Sequence, residues 1–222
     1  MRTSVAALTV ATALLAAWPV SAQARPAGRL EVGGGVGVMG AIHFASVPAN
    51  EIAPGGNTLT LFQSRSGLET TPAVVARLGV RIAARWWAES AFGLGSTNLV
   101  TDITHDRETG AATVSEPVTQ YAVEGGLALR LRGSSPGRLK PFLGAGGGYL
   151  RQVHDGRMFV DTGWSAYAGG GIHYLLKQAA TGAVKGLGIR VDARAAFAGG
   201  GTSLDGDVHV APAAGASVFV RF

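Results

Sequence analysis

Nine charged residues sit inside otherwise apolar stretches of this chain: Glu31, Arg77, Arg81, Glu89, Glu124, Arg130, Arg190, Asp192 and Arg194. Carboxylates close to guanidiniums can do acid–base work in a pocket. They can also simply neutralise one another. An ion removed from water loses several kcal/mol of hydration unless it is paired, roughly as much as a whole domain's margin of stability. Mutual pairing is therefore the expected role of this set. A narrow ion path gated by the same pairs ranks second, and carboxylate catalysis third, because no substrate pocket is indicated.

The other reactive types suggest little chemistry. Ser165 and His173 share one parity of a single segment, but eight residues of strand separate them by about 26 Å. No Ser–His–acid arrangement follows, and no catalytic residue is expected. His105-Asp106-x-Glu108, His154-Asp155 and Asp205-x-Asp207-x-His209 match no established metal-ligand spacing. Neither a metal nor a cofactor is expected. Gly144-x-Gly146-x-Gly148 lacks the strand–turn–helix setting of a phosphate-cradling loop. The chain has no Cys, which excludes disulfides and Cys-ligated zinc.

The elements carrying the charges read as strands of period two. From Val208 to Phe222, one parity is Val210, Pro212, Ala214, Ala216, Val218, Val220 and Phe222; the other includes His209, Ser217, Phe219 and Arg221. Segments 186–198, 118–132 and 71–82 alternate in the same way, with aliphatics on one face and the charges on the other. A helix would scatter those charges around its cylinder, whereas a strand puts them on one side. Segments 86–97, 29–40 and 160–175 fit less cleanly, and the register of the Gly-rich segment 140–152 stays open. About eight strands result. Short turns at 83–85 and 133–139 alternate with long stretches at 41–70 and 98–117, which read as loops. The linker 176–185 is long for a short turn.

The first residues form a leader. Arg2 precedes an apolar run from Val5 to Ala17, Pro19 ends it, and cleavage sites follow Ala22 and Ala24. Residues 1–24 are predicted to be a cleaved signal peptide and 25–222 a single domain. No 18-residue apolar run follows the leader, yet mean hydropathy is +0.25. An exported chain whose apolar residues are spread over strands can cross a membrane as a closed barrel. A lipocalin-like soluble barrel would need the opposite arrangement, apolar inside and polar outside. The net charge of +5 is small and scattered, so no nucleic-acid partner is expected.

These residues together give the chain a resemblance to the small outer-membrane β-barrel family. Its last strand, with Val218, Val220 and terminal Phe222, is similar to the C-terminal signal read by the barrel assembly machinery. Lys140-Pro141-Phe142-Leu143-Gly144-Ala145-Gly146-Gly147-Gly148-Tyr149 resembles a recurrent family strand. The leader runs straight into a first Gly-rich strand, and the resemblance spans the whole mature chain. It implies an eight-stranded antiparallel up-and-down transmembrane barrel in the outer membrane of a Gram-negative envelope. The lumen would be plugged by Arg–carboxylate pairs, with lipid and lipopolysaccharide around the barrel. A surface ligand could meet stretches 41–70 and 98–117. The role implied is non-enzymatic, with a porin-like narrow channel or a lipid-modifying enzyme as alternatives.

Overall fold

The computed structural model describes residues 28–52, 56, 58–105, 110–131, 138–154, 159–179, 181–201 and 207–222. The predicted leader 1–24 lies outside them, as do Asp106, Glu108, Asp155, Asp205 and the predicted turn residues 133–137. The described residues form ten strands: β1 (Leu30–Met39), β2 (Ile42–Ile52), β3 (Thr58–Leu68), β4 (Thr71–Arg81), β5 (Trp86–Thr104), β6 (Ala112–Arg130), β7 (Leu139–His154), β8 (Val160–Gln178), β9 (Gly186–Gly200) and β10 (Val208–Arg221).

Eight of them close into a ring. The order is β1, β4, β5, β6, β7, β8, β9, β10, with every pair antiparallel, and β1 pairs β10 from Glu31↔Arg221 to Met39↔Ala213. Closure leaves no unpaired edge through this part of the wall. The predicted eight-stranded barrel is thus present as a ring of eight, in a chain of ten strands.

The two additional strands continue β1 and β4 rather than adding new staves. Met39↔Thr71 and Ile42↔Leu68 belong to one hairpin register, interrupted at residues 40–41 and 69–70. The interruption moves the inward parity by one residue, from Met39 to Ile42 on one side and from Leu68 to Thr71 on the other. Past Pro212, whose carbonyl accepts from the Gly40 N–H at 2.7 Å, β10 has no ladder with β2. The β2–β3 hairpin instead pairs β5, from Leu68↔Leu99 to Gln63↔Thr104.

This corrects the reading of 41–70 and 98–117 as loops. Both are largely strand, and the β5–β6 ladder continues to Ile103↔Ala112. Their polarity marks a ribbon that leaves the ring, with polar side chains bonded across strands. Thr113 donates to Asp102 at 2.7 Å, Thr60 to Asn50 at 2.9 Å, and Ser66 and Thr101 lie 2.9 Å apart. Such a ribbon needs no apolar face, so the alternation of hydropathy disappears while the β-branched residues persist.

The two faces of the ring differ as the alternation predicts. Outward Val36, Val74 and Val210 are 62%, 59% and 58% exposed, while inward Glu31, Asp192 and Arg190 are 6%, 7% and 8% exposed. Segment 140–152 takes the register in which Phe142, Leu150 and Gln152 point inward and Leu143, Tyr149 and Arg151 outward. Its glycines make room for a large ring opposite. A Cβ on Gly146, or on Gly126 of the neighbouring β6, would stand 2.8 or 2.5 Å from the Tyr167 hydroxyl.

Gly188 plays the same part for Phe219. A Cβ there would meet the Phe219 ring and the Tyr174 carbonyl, both at 2.5 Å. Gly188→Val should therefore cost roughly 1–3 kcal/mol through overpacking, read as a lower denaturant midpoint of the refolded barrel. An unchanged midpoint would mean that Phe219 is not seated against this wall.

Candidate functional site

Inward charged side chains on six of the eight ring strands converge on the lumen. Glu31 of β1 accepts from Arg130 of β6 and from Arg221 of β10, whose Nε lies at 2.7 Å. Arg190 of β9 donates through Nη1 to Glu89 of β5 at 2.8 Å and through Nε to Asp192 at 3.1 Å. Asp192 also meets Arg77 of β4 at 3.4 Å. Arg194 donates to Glu124 of β6 at 2.6 Å. Among the described residues, five guanidiniums thus meet four carboxylates in these pairs. Charge-assisted bonds of this kind are the strong ones, and each ion here has at least one opposite partner.

Aromatic rings complete the packing. Arg130 lies over Trp87 with its guanidinium carbon 3.6 Å from the ring centroid, Arg190 lies over Phe142 at 4.2 Å, and Arg194 over Tyr167 at 4.9 Å. A ring face accepts the cation without needing water. His173 fills the space between Phe142 and Phe219, with centroids 4.9 and 5.0 Å away, and its Nδ1 is 3.9 Å from Glu31.

Eight of the nine charged residues expected to share a face are therefore brought together. Arg81 has the inward parity but sits half-buried at the terminal end of β4, outside these pairs. Arg221, His173, Trp87, Phe142 and Phe219 belong to the same assembly but were not in the expected set. Parity alone marks Arg221 and Phe219 as inward in the last strand, and Trp87 as the neighbour of Glu89's face. The register of Phe142 required the tertiary pairing. Ser165 lies in the other half of the lumen from His173, lining a different cavity.

That second cavity is lined mainly by apolar and small residues, with Gln120, Gln152 and Ser165 among them. Toward the loop end, above Arg77, Glu124, Asp192 and Arg194, a chamber of about 120 Å³ is lined by Ile42, Phe44, Leu68, Leu150 and Phe197 and by small residues such as Ala91 and Gly93. Ile42, Phe44, Leu68 and Ala211 form a buried apolar cluster at its wall. Phe44 meets His209 edge-on at 5.0 Å. Farther toward the loops, His154 has Glu116 and Asp161 at 3.1 Å from its two ring nitrogens. Among the described residues no group of three or more His, Asp or Glu side chains is arranged so that it could hold a metal ion.

The outer surface carries two sets of aromatics. Trp86, Tyr174 and Phe222 are exposed toward the end holding the termini, and Tyr121, Tyr149 and Trp164 toward the loop end. Val218 and Phe222 face outward and are exposed, and Val220 shares their parity. Valines and leucines fill the wall between the two sets.

A closed antiparallel ring with charges inside and aliphatics outside has the fold of the small outer-membrane β-barrel proteins. A solved structure shares that architecture. The chain is similar to the outer membrane protein OprG from Pseudomonas aeruginosa, with a TM-score of 0.54 and 11% identity over 88% of this chain and 96% of that one. It also aligns with Neisserial surface protein A, NspA, with a TM-score of 0.49 and 15% identity over 87% of this chain and 97% of that one. No protein-family model and no curated protein matches the chain.

Proposed function

We propose that this chain is an integral outer-membrane protein, exported by leader 1–24, with a non-enzymatic role in the envelope. The observation that carries the reading is the pairing of an exposed aliphatic wall with a lumen of mutually neutralised ions. In water, that wall would expose apolar surface far beyond a soluble monomer's few hundred Å². In lipid it is the favoured solvent-facing surface, and ring closure pairs the backbone of neighbouring strands around the wall. The salt-bridged layer lies across the lumen and closes it as a plug. Work at the cell surface then falls to the polar ribbons, β2–β3 and the ends of β5 and β6, which would present a binding surface to a partner or to lipopolysaccharide. Outward Val218, Val220 and Phe222 would serve the assembly machinery.

The apolar chamber favours a second reading, a narrow channel or bay for small solutes entering from the loop end. The discriminating test is conductance of the refolded mature protein in a planar bilayer, after a heat-shifted gel band has established folding. Silence is expected for the plugged barrel. Reproducible small steps that change with Glu124→Gln would make the charged lumen a path and replace the first reading by the second.

A further inference from the structure

Charge is segregated along the barrel axis, apart from the paired ions inside. The end holding the termini carries Arg29, Arg81, Arg85, Arg138, Lys140, Lys177 and Lys185. Among the described residues, no aspartate or glutamate stands on that rim; Glu31, inside the barrel, is already held by Arg130 and Arg221. At the loop end the balance is reversed. Among the described residues, Glu51, Glu69, Asp102, Glu116, Asp161 and Asp207 outnumber Arg65 and Arg151 there.

The cations form a circle rather than a patch. Arg29 precedes β1, Arg81 ends β4, Arg85 precedes β5, Arg138 precedes β7, Lys177 is near the end of β8 and Lys185 precedes β9. Interstrand hydrogen bonds fix their backbones in this spacing. The Arg81 N–H donates to the Arg29 carbonyl at 2.8 Å, Arg130 to Arg85 at 2.9 Å, Leu175 to Arg138 at 2.8 Å, and Lys185 to Arg221 at 2.7 Å. Arg29, Arg85, Arg138 and Lys177 are exposed. Directly beside them on the outward face stand Trp86, Tyr174 and Phe222. Aromatics of this kind favour the boundary between hydrocarbon and headgroups.

We propose that this basic rim selects anionic phospholipid headgroups in the leaflet surrounding the terminal end of the barrel. The inference rests on the membrane reading above. A macromolecule docking from one side would contact an arc of the rim, whereas cations spaced round the whole circumference match a ligand that surrounds the barrel. A lipid annulus has that geometry. Its anionic members would place phosphates against the cations while their chains lie on the aliphatic wall. A soluble polyanion would satisfy the charge but leave the aromatic belt without a part.

The test uses the refolded barrel in vesicles of phosphatidylcholine containing trace spin-labelled phosphatidylglycerol or spin-labelled phosphatidylcholine. The motionally restricted, protein-bound fraction is then compared for the two labels. A preference of about three- to five-fold for the anionic lipid is expected at low salt, falling as ionic strength rises. The triple variant Arg85→Gln/Arg138→Gln/Lys177→Gln should lose most of it, while Arg65→Gln/Arg151→Gln at the loop end should keep it. Equal restricted fractions for the two labels would overturn the proposal and leave the membrane reading standing, as would a preference unaffected by the triple variant. Retention on a heparin column without lipid preference would assign the rim to a soluble polyanion instead. Absence of any restricted component from either label would overturn both readings.

Discussion

Glu31→Gln should be the most destabilising neutralisation in the lumen. Glu31 is the shared acceptor of Arg130 and Arg221, two side chains from strands on opposite sides of β1 in the ring order. All three side chains are at most 9% exposed. Glutamine preserves volume and one acceptor but removes the charge. Two buried guanidiniums would then be left together beside Trp87, whose ring centroid lies 3.6 Å from one and 5.6 Å from the other. Breaking a buried pair while leaving its partner behind costs about 3–5 kcal/mol. The midpoint of guanidinium-induced unfolding, followed by the heat-shifted gel band, should drop accordingly. Arg81→Gln, at the same end but outside the paired set, should shift it by less than about 0.5 kcal/mol. Equal midpoints for the two variants would show that pairing at Glu31 contributes nothing to the barrel's stability.

Arg190→Glu should be comparably severe, for a different reason. Arg190 bridges Glu89 and Asp192 and covers Phe142. Reversal puts a third carboxylate beside two others in a closed space and removes the cation from the ring. A loss of about 4 kcal/mol or failure to refold is expected, from an unpaired buried charge and like-charge repulsion together. Arg190→Gln separates the two effects, since it also uncovers Phe142 but adds no negative charge, and should cost less. The exchange Glu89→Arg/Arg190→Glu should recover part of the loss, with a coupling of about 1–3 kcal/mol. Reversal at exposed Arg138 should stay within about 0.5 kcal/mol. A double variant no better than the sum of its parts would mean that Arg190 and Glu89 do not pair.

Both expectations depend on positions that alternation alone brought to one face. Arg77, Arg190, Asp192 and Arg194 could be read as inward because an unbroken strand has a strict period of two. Once Leu78 and Val191 are outward, their neighbours have no choice. The same logic marked Trp87 and Phe219. It failed at 40–41 and 69–70, where paired irregularities shift parity without any change in composition. It failed again in 140–152, where glycines carry no side chain to report a face. Polarity misled it in 98–117, because cross-strand hydrogen bonds such as Thr113 to Asp102 hold a ribbon together as well as an apolar face would.

Local chemistry therefore determined the strand period, the face of nearly every charge and the exposed aliphatic wall. Each follows from one residue and its neighbours in sequence. Which guanidinium meets which carboxylate was decided only by the tertiary structure, because it depends on the stagger between strands as distant as β1 and β6. The same stagger stacks the apolar chamber above the ion pairs and gathers the rim cations from separate turns into one circle. Strand alternation carries no information about stagger; the closing pairing of β1 with β10 supplies it.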